Sequence, residues 1–309
     1  MRVDRSAYDV LTEDGPTRLP ALPACEVTVG DWLAVTDDGG WALLPRTSLL
    51  VRGASSGVSR TQPLAANVDV VLVVASLSVP IPVRRIERLL TLAWESGAAP
   101  VVVLTKADLH PDPEAAVRDL EPHAPGAPIV VTSAAEGDVA ALAPYAQPGT
   151  TLVLLGASGA GKSTVVNALA GATVMDTGDV RGVDGKGRHT TTHRELVLLP
   201  SGAVVIDTPG LRGVALAGSE EGLALAFSDV EELAAACRFA DCAHVGEPGC
   251  AVQASIDAGD LSAARMESWR KLQRELSFQA RRTDARLRAE ERAKWKAITK
   301  SNRARPARL

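Results

Sequence analysis

The sequence predicts an α/β protein: a largely parallel sheet at the centre, an antiparallel β unit before it and a small metal-stabilised helical unit after it. Three observations carry this prediction. Residues 68–210 alternate short Val/Ile/Leu runs with amphipathic helical stretches, residues 26–52 read as short strands broken by turns, and three cysteines with a histidine crowd into residues 237–250. At 309 residues, 46% of them hydrophobic and 23% charged, the chain is long enough for two or three domains with a substantial core.

In the central segment the strand-like runs are 70–75, 101–104, 129–132, 152–155, 195–199 and 203–206, and the helical stretches are 83–96, 113–120 and 162–170. Runs apolar at every position belong to strands buried on both faces, which is the environment of a parallel sheet covered by helices. Such sheets bind ligands beyond the carboxyl ends of their strands, so the loops after the runs are where chemistry is expected.

Four of those loops carry recognisable chemistry. After 152–155 comes Gly156-Ala157-Ser158-Gly159-Ala160-Gly161-Lys162-Ser163-Thr164, which fits G-x-x-x-x-G-K-[ST] between a strand and a helix. Its glycines let successive backbone N–H groups converge on a phosphate, Lys162 reaches the β and γ phosphates, and the Ser163 hydroxyl joins a Mg²⁺ shell. After 203–206 comes Asp207-Thr208-Pro209-Gly210, with a carboxylate for the Mg²⁺ shell and a glycine N–H for the γ-phosphate. Thr105-Lys106-Ala107-Asp108 follows the run at 101–104; the Asp108 carboxylate can accept the ring N–H and the exocyclic amine of guanine, a donor pair adenine lacks. Thr132-Ser133-Ala134 is a small-residue turn able to approach a base edge through its backbone. Asp108 argues against an ATPase or a small-molecule kinase on the same loop.

Their order is the informative feature. The base-reading loops at 105 and 132 precede the phosphate loop at 156, the reverse of ordinary GTPases, and this implies a circular permutation. With that order, the β unit in front, the Cys/His cluster behind, and Gln62, Asn67 and Asp69 ahead of the first central strand, the chain resembles the RsgA/YjeQ family of GTPases dependent on the small ribosomal subunit. The resemblance implies a circularly permuted P-loop GTPase domain with an N-terminal OB-like β-barrel and a C-terminal zinc-binding helical domain. It also implies maturation of the 30S subunit as the function, with 16S rRNA as a contact and GTP and GDP as ligands. One departure is Thr105, where the family's N-K-x-D loop has Asn. Residues 187–192 resemble the family's first switch, in which one of Thr190, Thr191 and Thr192 completes the Mg²⁺ shell; Thr191 is preferred. Leu211 stands where many GTPases place a water-orienting glutamine, so intrinsic hydrolysis is expected to be slow and His189 is the candidate to position water once a partner orders the loop. The competing reading is an RNA-binding assembly module whose nucleotide only regulates affinity.

The flanks are less specific. Residues 1–60 are expected to form the OB-like barrel, with strands at 26–29, 32–36, 41–44 and 49–52, Trp32 and Trp41 in its core and Arg46 on its solvated surface. The Ser/Gly-rich stretch at 53–61 is the expected linker to a GTPase domain at 61–228. Residues 229–309 form the third unit, in which Cys237, Cys242, His244 and Cys250 offer a Cys₃His set suited to one structural Zn²⁺, and Cys25 takes no ligand role. A helix is expected over 260–282, followed by a basic tail. Residues 265–309 hold 15 Lys and Arg against 5 Asp and Glu, a net of +10 that leaves −14 on residues 1–264, so this tail is the part suited to a polyanion such as rRNA. No apolar run is long enough to span a bilayer, and a cytoplasmic monomer is the expectation.

Overall fold

The computed structural model describes residues 7–21, 26–36, 40–52, 62–176, 195–207 and 220–283. Its centre is a six-stranded sheet in the order β11-β12-β10-β7-β8-β9, built from β7 (Val70–Ser76), β8 (Ala99–Thr105), β9 (Ile129–Thr132), β10 (Thr151–Gly156), β11 (Glu195–Leu198) and β12 (Val204–Asp207). All neighbours run parallel except β11, which pairs antiparallel with β12 at the edge. The all-apolar runs have the expected cause. Val71, Val73 and Ala75 of β7 face one core, and Leu72 and Val74 face a second core on the other side. Each face is covered, so neither alternation position is free to be polar.

The first core lies under α1 (Val83–Glu95), α4 (Glu220–Ala226) and α7 (Ala263–Thr283); the second lies under α3 (Lys162–Ala170) and a 3₁₀ segment at Ala140–Tyr145. In α1 the buried Ile86, Leu90 and Ala93 recur at four and three residues, which draws one apolar stripe toward the sheet. Between β8 and β9, α2 (Pro113–Leu120) begins with the Asp112 carboxylate accepting from the Ala115 N–H at 2.9 Å and Pro113 in its first turn. α4 approaches α1 so closely that a Cβ on Gly222 would stand 2.6 Å from the Glu95 nitrogen.

The N-terminal segment is antiparallel, as expected, but its strands differ from the expected set. β1 (Ala7–Thr12) pairs with β2 (Gly15–Pro20) and β3 (Leu33–Val35) with β4 (Trp41–Leu43); among the described residues these are two-stranded ladders. Tyr8, Leu19 and Trp41 form their shared core, with Tyr8 and Trp41 edge to face at 5.5 Å and the Trp41 indole donating to the Pro20 carbonyl. Residues 26–29 are not a strand, because the Thr28 N–H donates to the Asp31 carboxylate at 2.7 Å and turns the chain. Trp32 is 66% exposed rather than in the core. Arg46 is not solvated surface: its guanidinium holds Asp31 through two bonds of 2.7 and 2.8 Å and donates to the Glu26 carbonyl.

β5 (Leu49–Arg52) pairs antiparallel with β6 (Gln62–Ala66), across residue 60 where composition suggested a boundary. Leu50, Leu64 and Ala65 belong to the first core of the central sheet, so β5 is built into the central unit. Asn67 makes the joint. Held at φ 52°, it accepts from the Thr47 N–H and donates to the Gly30 carbonyl, both at 2.9 Å. Asp69 accepts from the Thr151 N–H at 2.8 Å and pins the start of β10 beside β7.

At the C-terminal end α5 (Ser228–Ala235) and α6 (Ala251–Ala258) bracket the cysteine-rich turn, and α7 follows over the expected span. Leu261 ahead of α7, and Met266, Trp269, Leu272 and Leu276 on it, are buried in the first core. Arg265 is buried too, although it opens the basic segment. It donates to Asp229 twice at 2.6 Å, to Glu87 of α1 at 3.0 Å and to the Ala226 carbonyl at 3.0 Å. Glu87, itself 1% exposed, also meets His123 at 2.8 Å. Among the described residues, no helix is long and apolar enough to cross a membrane.

Candidate functional site

Parallel pairing of β12, β10, β7, β8 and β9 brings their carboxyl ends to one edge of the sheet, and the loops after β8, β9 and β10 therefore emerge together, with the backbone of Asp207 at the end of β12 on the same edge. Register explains how. Gly156 lies opposite Val74 and Ser76 opposite Thr105, while Thr105 lies opposite Thr132, so the loops after β10, β8 and β9 start at successive places along that edge.

The phosphate loop leaves β10 at Gly156, where a Cβ would stand 2.3 Å from the Val74 carbonyl oxygen; only glycine lets the two strands stay paired there. Gly159 and Gly161 have φ of 77° and 92°, a left-handed backbone that turns the chain into α3. Ser158 and Gly159 are exposed at the loop's crest, Ala157, Ser163 and Thr164 are half-buried, and Ala160 is buried beneath. The Lys162 ammonium reaches back over the loop to the carbonyl oxygens of Ala157 at 2.6 Å and Gly156 at 3.1 Å. A cation held there, above a helix N-terminus, suits a polyphosphate.

On the base side, Lys106 takes a left-handed conformation (φ 60°) to leave β8 and begin a 3₁₀ turn at Ala107–Leu109, which presents Asp108 to solvent. The Asp108 N–H donates to the Ser133 hydroxyl at 3.1 Å, joining the two candidate base-reading loops. Ser133 and Ala134 are buried, and the Glu136 N–H closes their turn onto the Ser133 carbonyl at 2.8 Å. Thr105, 2% exposed, donates through its hydroxyl to the Ala160 carbonyl at 2.7 Å, a contact between the base side and the phosphate loop that sequence reasoning missed. The signal available was its short hydroxyl side chain at a strand end, which by itself does not name a partner 55 residues away. Asp207 ends β12 beside β10. His189, Thr191 and Gly210 lie outside the described residues, as do Thr208, Pro209 and Leu211.

The second site is separate from this edge. Cys237 follows α5, Cys242 and His244 sit in the turn, and Cys250 caps α6 by accepting from the Gln253 N–H. Their ligand atoms all lie within 4.8 Å of one another, with Cys237 Sγ to Cys250 Sγ 3.9 Å and His244 Nδ1 3.5 and 3.6 Å from the two sulfurs. Tetrahedral Zn²⁺ with bonds of about 2.3 Å to sulfur sets neighbouring ligands about 3.8 Å apart, so the donor set fits that ion in both chemistry and spacing. His244 adopts φ 58° to enter the cluster and packs edge-on to Trp269 of α7 at 6.1 Å. Desolvation pushes the Cys242 thiol up to about 11. At Cys237 desolvation acts in the same direction but is outweighed by the N–H groups of Val252 and Ala251, and that thiol is lowered.

The fold and the edge loops define a class: a phosphate-loop nucleotide-binding protein of the circularly permuted kind, with the loops after β8 and β9 preceding the phosphate loop in the chain. The RsgA GTPase family model matches residues 43–217, and the chain belongs to that family. It is 51% identical to the Small ribosomal subunit biogenesis GTPase RsgA of Streptomyces coelicolor, over 96% of this chain and 84% of that protein, and 49% identical to the protein of the same name from Opitutus terrae, over 92% and 81%. Among solved structures it resembles YjeQ from Thermotoga maritima, at 29% identity and TM-score 0.64 over 87% of this chain and 94% of that one. It shares the fold of YloQ, described as a circularly permuted GTPase, at 24% identity and TM-score 0.63 over 90% and 94%.

Proposed function

We infer that this protein is a GTPase acting in biogenesis of the small ribosomal subunit, hydrolysing GTP to GDP and phosphate with 30S particles as partner. The observation that carries the reading is the single sheet edge on which Asp108, Ser133 and the loop 156–163 converge in permuted order. Family membership at about half identity to proteins named for that role supports it.

In this reading Asp108 accepts the guanine N–H pair, Lys106 lies against the base, and the Ser133–Ala134 turn borders its edge. The backbone N–H groups of Gly159, Gly161, Lys162, Ser163 and Thr164 surround the phosphates, and Lys162 stabilises charge on the β–γ bridge as it breaks. Ser163, Asp207 and Thr191 are the proposed Mg²⁺ partners; Mg²⁺, when bound, neutralises phosphate charge. Gly210 meets the γ-phosphate, and His189 orients water in the ribosome-bound state, since Leu211 has no polar atom to do so. The Cys₃His cluster holds one Zn²⁺ that is structural, because four protein ligands leave no position for water. An OB-like N-terminal unit and the basic tail contact 16S rRNA, and the protein works as a monomer in the cytoplasm.

GTP turnover measured with no ribosome, with 50S and with 30S subunits, at low and high salt, tests this. The expected result is slow basal turnover and a stimulation of about 10³-fold or more by 30S alone, weakening as salt rises. Equal turnover in all arms would leave the module reading, in which nucleotide only regulates RNA affinity.

A further inference from the structure

We propose that Glu247 is a positioning residue for the cysteine cluster: it makes no bond to the metal, and it holds the turn that presents Cys242 and His244. This rests on the zinc reading above. Cys237, Cys242, His244 and Cys250 already supply four ligand atoms, so a tetrahedral ion needs no fifth. Glu247 stands between the last two in sequence and is half-buried, and its bonds run to the backbone beside the ligands. Each carboxylate oxygen takes its own donor: Oε1 accepts from the Ala243 N–H at 3.1 Å and Oε2 from the Val245 N–H at 2.7 Å. The Glu247 carbonyl oxygen accepts from the Cys250 N–H, also at 3.1 Å. One residue thereby ties the Cys242–His244 half of the cluster to the Cys250 half.

The peptide between His244 and Val245 shows what these bonds accomplish. His244 has φ 58°, a conformation that a side chain larger than glycine keeps only when its surroundings impose it. The peptide after it is gripped at both ends: its carbonyl accepts from the Arg270 guanidinium of α7, and its N–H donates to Glu247. A peptide unit is planar, so fixing it fixes ψ at His244 and with it the backbone from which the ring reaches Cys237 and Cys250. Before the histidine, the Ala243 N–H is committed to Glu247 and the Cys242 N–H to the Phe239 carbonyl at 3.2 Å. Because both carboxylate oxygens are in use, glutamine is not a conservative replacement. It has one acceptor oxygen, and its NH₂ group would face a backbone N–H, donor against donor.

The test uses the full-length protein as wild type, Glu247→Gln and Glu247→Ala, each stripped of metal and reloaded. Zn²⁺ affinity is read by competition with a chelating dye at low and high salt, the Co²⁺ form by its visible absorption bands, and GDP affinity by a fluorescent analogue at saturating Zn²⁺. Both variants are expected to lose about 10- to 100-fold in Zn²⁺ affinity, the range for groups that orient metal ligands without touching the ion. The loss should be the same at both salts, the Co²⁺ bands should change because displaced ligands alter the field at the ion, and GDP affinity should match wild type. Wild-type Zn²⁺ affinity in either variant, or unchanged Co²⁺ bands, would overturn the proposal. So would a loss that disappears at high salt, which would mark simple attraction by charge, or a parallel fall in GDP affinity, which would mark general destabilisation. A wild-type protein that takes up neither ion would overturn the zinc reading itself and the proposal with it.

Discussion

Arg265→Ala is expected to destabilise the junction between the sheet and the cysteine-rich unit by about 3 kcal/mol, and the size follows from what is left behind. The guanidinium is 2% exposed and makes four hydrogen bonds, to Glu87, to Asp229 twice and to the Ala226 carbonyl, while lying 4.5 Å over the Phe227 ring. Removing one member of a buried ion pair costs about 3–5 kcal/mol, because the partner stays desolvated without compensation. The lower end applies here for two reasons. Glu87 retains His123 at 2.8 Å, and the Asp229 side chain is 36% exposed and can rehydrate. With a urea m-value of about 3 kcal/mol/M, the midpoint should fall by about 1 M. The assay is urea unfolding followed by Trp fluorescence, which reports this region because Trp269 donates to Glu231 beside the network. The double variant Arg265→Met with Glu87→Gln should recover much of the loss, since neither buried charge then stands alone. A midpoint shift below about 0.3 M for Arg265→Ala, or a double variant worse than the single one, would refute the view that an uncompensated buried carboxylate sets the cost.

Gly156→Ala should lower Tm by several degrees and weaken GDP binding, because its Cβ would press within 2.3 Å of the Val74 carbonyl and part β10 from β7 at the base of the phosphate loop. Gly171→Ala, at φ 62° with open space around the added carbon, should cost only about 1 kcal/mol, as read by thermal melting of both variants. Metal analysis of protein purified without chelator should find one zinc per chain. Stripping it, or changing Cys250→Ser, should expose residues 237–258 to protease while leaving the sheet and the α7 that covers it intact, since Cys250 also caps α6.

Most of the central domain was legible from local pattern. Strands buried on both faces leave continuous Val/Ile/Leu runs, and a phosphate loop needs glycines where the backbone turns left-handed or crowds a neighbouring strand, so both features are written within a few residues of one another. The four-ligand cluster was legible for the same reason, as its spacing is that of a short turn. The errors fell where a residue's role depends on a distant partner. Arg265 opens a segment whose charge balance suits RNA, yet its fixed partners are Glu87 and Asp229. Trp32 has the composition of a core residue and stands exposed, whereas Arg46 has that of a surface residue and holds Asp31.

By itself the sequence indicated the chemistry each part is suited to: which loop can cradle phosphate, which carboxylate can select guanine, which four side chains can hold zinc, and that their order along the chain is permuted. The tertiary structure decided what joins them. That β5 belongs to the central unit, that Asn67 joins residues 30 and 47, and that the Thr105 hydroxyl donates to the phosphate loop all rest on hydrogen bonds and contacts between residues far apart in the chain. Local pattern carries the propensity of a segment, but the partner of a buried polar group is chosen only when the sheet closes and its desolvation must be compensated.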